Sequence, residues 1–507
     1  MAALMMDPVR RLDRRLAFVV FALLFASYAY FYQGGGWNEN SRMDLVRALV
    51  EDHSLAIDRF HMNTGDKAKL GEHYYSDKAP GLSLLAVPAY ALVRLFGARL
   101  GEHSFVVLAS YVVTTLTVGL ATALLGALLY RASRRLGATP RGALLAALGY
   151  GLGTTAFPFA TLFFGHQMAA FLAFAAFSLA WSCRDRHSDP RSFAAGALAG
   201  LALVTEFPLA PVVGILFWYH ADARHRARRL VTFAAGLALV LLPLALYSTA
   251  AFGSPWRTGY SVLADAGSRH EMLGRGTFGL GLPSLGVFVE LMIGRYRGLF
   301  PYSPLLFLAL AGFAFGLGLL STAPPEERRP HPQRRELWAA LAVVVYFVLF
   351  VSSYTWWHGG ASFGARHLLP MLPFLCLPLG LVADLRPRLA LGLGIVSVIV
   401  MTMVTAVQPK PGEWVNDPFF SKIAPAFFRG ELAAGKSCPL VGNTDERHVP
   451  LLRNATNDAF NLGMVLGGRH RLPTLLPLLA LWVSVVFELR RATARPATEP
   501  EPAPESG

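Results

Sequence analysis

The chain has 507 residues, of which 54% are hydrophobic and only 15% are charged. This apolar content exceeds what one soluble core can bury, so the composition excludes a soluble globular protein and indicates an integral membrane protein. The formal net charge is +14. Because the basic residues concentrate in short connections between apolar segments, membrane topology explains this charge, and no nucleic-acid partner is expected.

Apolar segments recur along the chain, and each is predicted to be a helix because backbone polar groups cannot remain unpaired in hydrocarbon. The pattern predicts an all-α polytopic membrane protein with about 12 transmembrane helices. Two segments are too short to cross alone, and we predict that they form a bent or half-depth pair around Glu206. The predicted spans are 16–33, 103–130, 141–160, 166–182, 192–204, 208–220, 230–250, 302–321, 337–353, 368–384, 389–407 and 472–489.

The basic residues predict the orientation. Connections such as "RASRR", "RHRARR" and "RRPHPQRR" are short and strongly basic, which is typical of the cytoplasmic side of a membrane. Both termini are therefore predicted to be cytoplasmic, with residues 1–490 forming the transmembrane domain and 491–507 a disordered tail. The loops 34–102, 251–301 and 408–471 are predicted to lie on the outer face and, being long, to carry the function.

The first of these loops contains two predicted interface helices. The stretch "SRMDLVRALVEDHS" places Met43, Val46, Leu49 and Val50 at helical spacing among charged residues, which predicts an amphipathic helix lying along the membrane surface. A polar stretch ending in "YYSDKAPG" then leads into "LSLLAVPAYALVRLF". This apolar segment is interrupted by Pro88, and we predict a second helix partly sunk at the interface.

Together these features resemble the GT-C glycosyltransferases of family 39, which include protein mannosyltransferases and bacterial lipid A aminoarabinose transferases. The resemblance rests on "NENSR" directly after the first span, on "YYSDKAPG", and on "TEFP", "YRGLFPYSPLL" and "WWHGGASFGARHLLPMLP" further along. It implies a multi-pass enzyme of the bacterial cytoplasmic (inner) membrane. Such an enzyme transfers a sugar from a polyprenyl-phosphate donor to a hydroxyl of a lipid, glycan or protein acceptor on the non-cytoplasmic face, with a first-loop carboxylate as base.

Glu39 is the candidate general base. The family usually has an Asp-Glu pair after the first span, whereas this chain has Asn38-Glu39-Asn40. Attack of a hydroxyl on an anomeric carbon needs a carboxylate within hydrogen-bond reach of the proton that it removes, and Glu39 is the acid beside the first span. Asp44, one turn into the predicted helix, is the alternative base.

Asp77 and Lys78 place an acid and a base at the start of the second interface helix. The resemblance favours Lys78 as a ligand of the donor phosphate, with Tyr75 beside it and Asp77 as a second acid. An isolated Asp-Lys pair is more often a surface ion pair or a helix N-cap whose lysine extends to the lipid headgroups, and that alternative stays open.

Asp66 and Asp77 are candidate ligands for a divalent metal ion, the cofactor that the sequence suggests. The stretch "TGDKA" repeats the Asp-Lys pair of "SDKA", and carboxylate oxygens are typical ligands of hard cations. The same residues are also good turn formers, and their spacing specifies no coordination geometry, so a turn is the alternative.

Polar residues at the predicted outer ends of the spans complete the candidate site. Arg366 and Arg297 carry guanidinium groups that suit phosphate oxygens, although interfacial anchoring is the alternative. His367 adjoins Arg366, and His166 lies where two spans meet. Glu206 lies in the short helical pair, where an acid needs a cationic partner from the protein or from a ligand.

Two functions of other classes remain open. A transporter or flippase of lipid-linked glycans would also suit about twelve spans and a broken helical pair with an acid. A non-catalytic cell-envelope assembly protein would suit the missing Asp-Glu pair. The chain shows no repeated halves, and its long loops lie on one predicted face only, which favours the transferase.

Overall fold

The structure is a computed structural model, and most of its elements are helices. It describes residues 8–97, 100–185, 188–221, 226–274, 279–319, 331–435, 438–441, 458–467 and 471–494. The disordered tail predicted for 491–507 lies outside these residues from position 495 onward. Within the described part, the two-stranded sheets are small: β1 pairs antiparallel with β4, and β2 with β3.

The elements are numbered in chain order. The strands are β1 (Phe31–Tyr32), β2 (Lys67–Leu70), β3 (His73–Ser76) and β4 (Phe460–Asn461). The helices are α1 (Pro8–Ala29), α2 (Trp37–Arg47), α3 (Gly81–Gly97), α4 (Glu102–Thr114), α5 (Leu120–Leu136), α6 (Pro140–Gly153), α7 (Ala156–Ala160), α8 (Gly165–Asp185), α9 (Asp189–Thr205), α10 (Ala210–His220), α11 (Arg226–Phe252), α12 (Ala266–Gly274), α13 (Leu285–Ile293), α14 (Leu306–Gly316), α15 (Arg334–Ser353), α16 (Leu372–Cys376), α17 (Leu379–Leu385), α18 (Pro387–Val407), α19 (Ala424–Phe428), α20 (Leu462–Val465) and α21 (Leu476–Ala494).

Six of the described helices are long and apolar enough to cross a membrane. A seventh span results if Arg366–Cys376 and Leu379–Leu385, which bend by 56° at their junction, are counted together. The prediction of about twelve spans is therefore not established. Several other helices are short: α9 has 17 residues, and α10 and α14 have 11 each. The six spans are Glu102–Leu136, Gly165–Arg184, Arg226–Phe252, Arg334–Ser353, Pro387–Val407 and Leu472–Thr493.

The helices have two chemically different ends. Asp13 near the start of α1 accepts hydrogen bonds from Tyr130 at 2.7 Å and from Arg134 at 2.8 Å, both near the end of α5. We call this the basic end, because the basic stretch 131–141 begins in the last turns of α5 and continues beyond it there. The opposite end, where α1 ends and α4 begins, carries the long loops and is called the loop end.

The short pair around Glu206 is a helical hairpin. The chain leaves α9 at Thr205 and turns through Glu206 and the 3-10 segment Phe207–Leu209 into α10. Near the other end of the hairpin, Nε2 of His220 lies 2.9 Å from Oγ of Ser192. The two helices therefore run antiparallel over similar depth, and Glu206 lies at the tip of the hairpin.

The first and last outer loops pack against each other. Phe31 of β1 lies opposite Asn461 of β4, and the backbone N–H of Cys438 donates to the carbonyl of Gly35 at 3.1 Å. Residues that are remote in sequence therefore meet beside the first turn of α2.

Helix α2 is buried on all sides at this junction. Each residue from Asn38 to Arg47 is buried, including the charged Arg42 and Asp44. Strand β3, helix α3 and the last outer loop therefore cover the charged face of the predicted interface helix, which water was expected to cover. Charges that are buried in this way need partners within the protein.

Helix α3 matches the second predicted interface helix. It continues through Pro88 without a break and leaves Leu92, Leu95 and Phe96 exposed. An exposed apolar face on a helix of the loop end suits contact with the membrane interface.

Candidate active site

Glu39 and Lys410 form a buried ion pair that joins the first and last outer loops. Glu39 lies in the first turn of α2 and is 4% exposed. Lys410 follows α18, and its Nζ lies 2.5 Å from Oε1 of Glu39 and donates to the carbonyl of Gly35 at 2.8 Å. The pair fixes the orientation of the carboxylate. Sequence reasoning missed Lys410, although a lysine between two prolines directly after a predicted span was a usable signal.

Lys78 lies between two carboxylates. Its Nζ is 2.8 Å from Oδ2 of Asp66 and 3.0 Å from Oδ2 of Asp77, and the ring of Tyr260 lies 5.8 Å away. Burial lowers the pKa of Lys78, but the two carboxylates outweigh burial and raise it above its ordinary value, so the ammonium stays charged. Tyr260 was missed in the sequence; its neighbour Gly259 packs so closely that a Cβ would lie 2.5 Å from Cα of Asp77.

Asp66 and Asp77 do not fit a metal site in this arrangement. The Lys78 ammonium lies within 3.0 Å of both carboxylates, where a cation would bind. His73, shortly before Asp77, pairs instead with Asp58 at 2.7 Å. Across the described ranges, no group of three or more His, Cys, Asp or Glu residues could hold a metal ion. We therefore derive no step through a metal.

Arg42 is the cation that Glu206 requires. Its Nη2 lies 2.7 Å from Oε1 of Glu206, while Nε donates to Asn38 at 3.0 Å and Nη1 to the carbonyl of Ala79 at 3.2 Å. Arg42 is 1% exposed. Arg42 is one of the charged residues of the predicted amphipathic helix, and its role is visible only because α2 is buried.

The two candidate histidines lie together beside Glu206. Nδ1 of His166 is 3.7 Å from Oε1 of Glu206, and Nε2 of His166 is 3.4 Å from Nδ1 of His367. The structure thus brings together Glu206, His166 and His367, which the sequence placed in three separate segments.

Arg366 is a half-buried cation without an acidic partner at contact distance. Its Nε is buried and has no hydrogen-bond partner, and no carboxylate lies within ion-pair distance in the described stretches of the chain. The guanidinium packs over the ring of Phe164 at 4.9 Å, within electrostatic reach of Glu39, Asp66 and Glu206. A guanidinium with an unused, buried donor suits an anionic ligand with several oxygens.

Arg297 has a different role from the one predicted. It is fully buried and donates to the carbonyl of Gly360 at 2.7 Å, to the carbonyl of Ser362, and to the hydroxyl of Tyr296 at 3.1 Å. These bonds brace the glycine-rich turn that precedes Arg366. Because backbone carbonyls and the Tyr296 hydroxyl engage both terminal nitrogens and only Nε lacks a partner, Arg297 is not one of the proposed phosphate ligands.

Tyr75 and Asp44 also lie apart from the charged groups around Lys78. The ring of Tyr75 packs against Phe252 at 5.5 Å in an apolar cluster. Asp44 accepts a hydrogen bond from Asn63 at 3.0 Å. The proposed site therefore contains neither residue.

Solved structures resemble this chain at low sequence identity. An oligosaccharyltransferase from Archaeoglobus fulgidus in the apo form matches with a TM-score of 0.50 and 14% identity, over 79% of this chain and 56% of that one. The oligosaccharyltransferase AglB from the same organism, in complex with an inhibitory peptide and a dolichol-phosphate, matches with a TM-score of 0.50 and 15% identity over the same shares. This chain thus spans little more than half the length of the oligosaccharyltransferase.

ArnT from Cupriavidus metallidurans in the apo state has a TM-score of 0.47 and 17% identity, over 96% of this chain and 73% of that one. No protein-family model matches the chain, and no curated protein matches it. The chain has a GT-C-like fold, as the sequence predicted.

Proposed function

We propose that this protein is a membrane glycosyltransferase that transfers a sugar from a polyprenyl-phosphate donor to a hydroxyl of a lipid, glycan or protein acceptor. One observation carries the proposal: at the loop end of a GT-C-like fold, the buried acids Glu39 and Asp77 share a site with Arg366, a half-buried cation whose buried Nε has no hydrogen-bond partner. The dolichol-phosphate in the AglB complex supports the same class of donor.

The proposed chemistry uses the paired charges in distinct roles. Glu39 removes the proton of the acceptor hydroxyl as that oxygen attacks the anomeric carbon. The bond between the anomeric carbon and the phosphate oxygen breaks, and the electron pair leaves with the polyprenyl phosphate. Arg366 and Lys78 stabilise the negative charge on the departing phosphate, because guanidinium and ammonium groups bind phosphate oxygens by charge-assisted hydrogen bonds.

The proposed site faces the non-cytoplasmic side. The basic end carries the arginine-rich connections that favour the cytoplasm, and the site lies at the opposite end. The chain would then lie in a bacterial cytoplasmic membrane with both termini inside. The apolar face of α3 would rest among lipids beside the donor chain.

The Arg366→Met variant tests the phosphate site. Transfer would be assayed with purified protein and a panel of polyprenyl-phosphate sugars. We expect kcat/KM for the donor to fall by about 10²-fold, since the variant loses a preorganised donor to the leaving phosphate. Arg295→Met is the matched control, because Arg295 lies nearby but its side chain is 79% exposed, and it should transfer normally.

Equal activity of the Arg366 and Arg295 variants would contradict the assignment of Arg366. The same panel, run with Asp77→Asn and Lys78→Ala, tests the remaining site residues. Absence of turnover with every donor and acceptor would count against the transferase itself and would favour the flippase or the assembly protein.

Lys410→Met tests whether the last outer loop belongs to the active site. Because Met removes the charge that orients Glu39, we expect kcat to fall about tenfold or more while KM for the donor stays near the wild-type value, and Lys410→Arg to recover part of the rate. Lys422→Met, on the same outer loop, is the control. A wild-type kcat for Lys410→Met would show that the pair is only a structural contact.

A further inference from the structure

Asp44 lies on α2 and is enclosed by protein. In the part of the chain that the structure describes, its side chain forms one hydrogen bond, with Asn63. Asp44 is 1% exposed, and Asn63 is 3% exposed. Nδ2 of Asn63 donates to Oδ1 of Asp44 at 3.0 Å and also to the backbone carbonyl of Leu440 at 3.0 Å. The amide thus connects α2 with the last outer loop.

The orientation of the Asn63 amide follows from these contacts. The carbonyl of Leu440 can only accept a hydrogen bond, so the nitrogen of the amide must face it. This assignment leaves two buried acceptor oxygens, Oδ2 of Asp44 and Oδ1 of Asn63, without a donor in the described structure. Both atoms belong to groups that one hydrogen bond already holds side by side.

We infer that Asp44 is a neutral carboxylic acid in the folded protein and that its proton, on Oδ2, donates to Oδ1 of Asn63. The acid and the amide then form a cyclic pair with two hydrogen bonds, and both unsatisfied oxygens gain a partner. An ionised Asp44 would instead leave both acceptor oxygens buried without donors, which is destabilising.

The charges around Asp44 agree with this inference. Arg47 on α2 and Lys67 on β2 favour the ionised form, but Arg47 is engaged by Glu51 at 3.0 Å and Lys67 by Nδ1 of His61 at 3.2 Å. The effect of burial outweighs the effect of these two cations and raises the pKa of Asp44 well above its ordinary value.

A neutral Asp44 positions other groups and does not act as the general base. A carboxylic acid cannot remove a proton from an acceptor hydroxyl, so of the two acids considered as base only Glu39 remains. Through Asn63 and Leu440, Asp44 holds the last outer loop against α2, close to the contact between Lys410 and Glu39. The inference concerns protonation and stability, so it can fail or hold independently of the proposed transferase function.

The Asp44→Asn variant tests the inference through the pH dependence of stability. In an unfolded chain an aspartate titrates near about pH 3.9. Above that pH the folded wild type would hold one proton more than the unfolded chain, so its stability falls with rising pH, by up to about tenfold in the folding equilibrium per pH unit. The side-chain amide of the variant forms the same two hydrogen bonds without binding a proton.

We therefore expect the Tm of Asp44→Asn, measured in detergent between pH 5 and 8, to exceed that of the wild type by a margin that widens with pH. Glu72→Gln is the control, since Glu72 is exposed in the turn between β2 and β3, and its margin should stay constant. A constant margin for Asp44→Asn, or a lower Tm at every pH, would overturn the inference.

Infrared difference spectra of the wild type against Asp44→Asn give a second readout that a purely structural role would not produce. We expect the wild type to show a carboxylic-acid C=O band near neutral pH that the variant lacks. Carboxylate bands in place of the acid band would overturn the inference even if the variant were too unstable for a melting curve.

Discussion

The Glu39→Gln variant is expected to lower the rate of sugar transfer by about 10²–10⁴-fold, the usual contribution of a general base. Gln keeps the length of the side chain and leaves an oxygen available to Lys410, whose Nζ lies 2.5 Å from Oε1 in the wild type. What the amide loses is the ability to take the proton of the acceptor. The effect should therefore appear in kcat, with KM for the donor little changed.

Two comparisons sharpen this test. Glu72→Gln makes the same chemical change on the exposed turn of the first outer loop and should transfer at the wild-type rate. The melting temperature of Glu39→Gln shows whether the variant is folded. A folded Glu39→Gln protein with wild-type kcat would remove Glu39 from the mechanism and leave Asp77 as the carboxylate to test.

The Arg42→Met variant is expected to lose about 3–5 kcal/mol of stability, because it leaves Glu206 buried without its cation. The pair is a strong candidate for such an effect: Nη2 and Oε1 are 2.7 Å apart, and the side chains are 1% and 11% exposed. Thermal unfolding in detergent measures the loss. It should appear as a Tm several degrees below that of the wild type.

A double variant separates the ion pair from the other contacts of Arg42. Arg42→Met combined with Glu206→Gln removes both charges, and we expect it to regain most of the lost stability. Arg59→Met is the control for an exposed arginine, whose ion pair with Asp52 should contribute less than about 1 kcal/mol. A double variant as unstable as Arg42→Met alone would show that the bonds to Asn38 and Ala79 matter more than the charge of Glu206.

The fold was largely predictable, because helix formation in a membrane depends on local composition. The predicted spans agree with described helices, and the break at Glu206 is where α9 ends. The number of crossings was not predictable to the same degree, since helices such as α10 and α14 are short and their crossing depends on neighbours that shield their ends. The burial of α2 was not predicted, because the periodicity of its sequence cannot show whether protein or water covers the charged face.

The ion pairs of the candidate site were also only partly predictable from the sequence. Lys78 could be found because its partner Asp77 is adjacent in sequence, whereas Lys410 and Arg42 pair with acids that lie far away along the chain. Arg297 and Arg366 looked alike as arginines at membrane boundaries. Nε lacks a partner in both, and only the surroundings of the terminal nitrogens separate them, since backbone carbonyls engage those of Arg297 whereas the guanidinium of Arg366 packs over the ring of Phe164.

The sequence by itself determined that this is a helical membrane protein with a basic end and with long loops that carry acids and cations. Hydrophobicity and charge bias are properties of short segments, so no tertiary information was needed. The tertiary structure alone decided which charges meet, which arginine has its terminal nitrogens engaged by the backbone, and that Asp44 faces the amide of Asn63. Those outcomes depend on the packing of the first outer loop against the last, and no local pattern encodes a contact between distant segments.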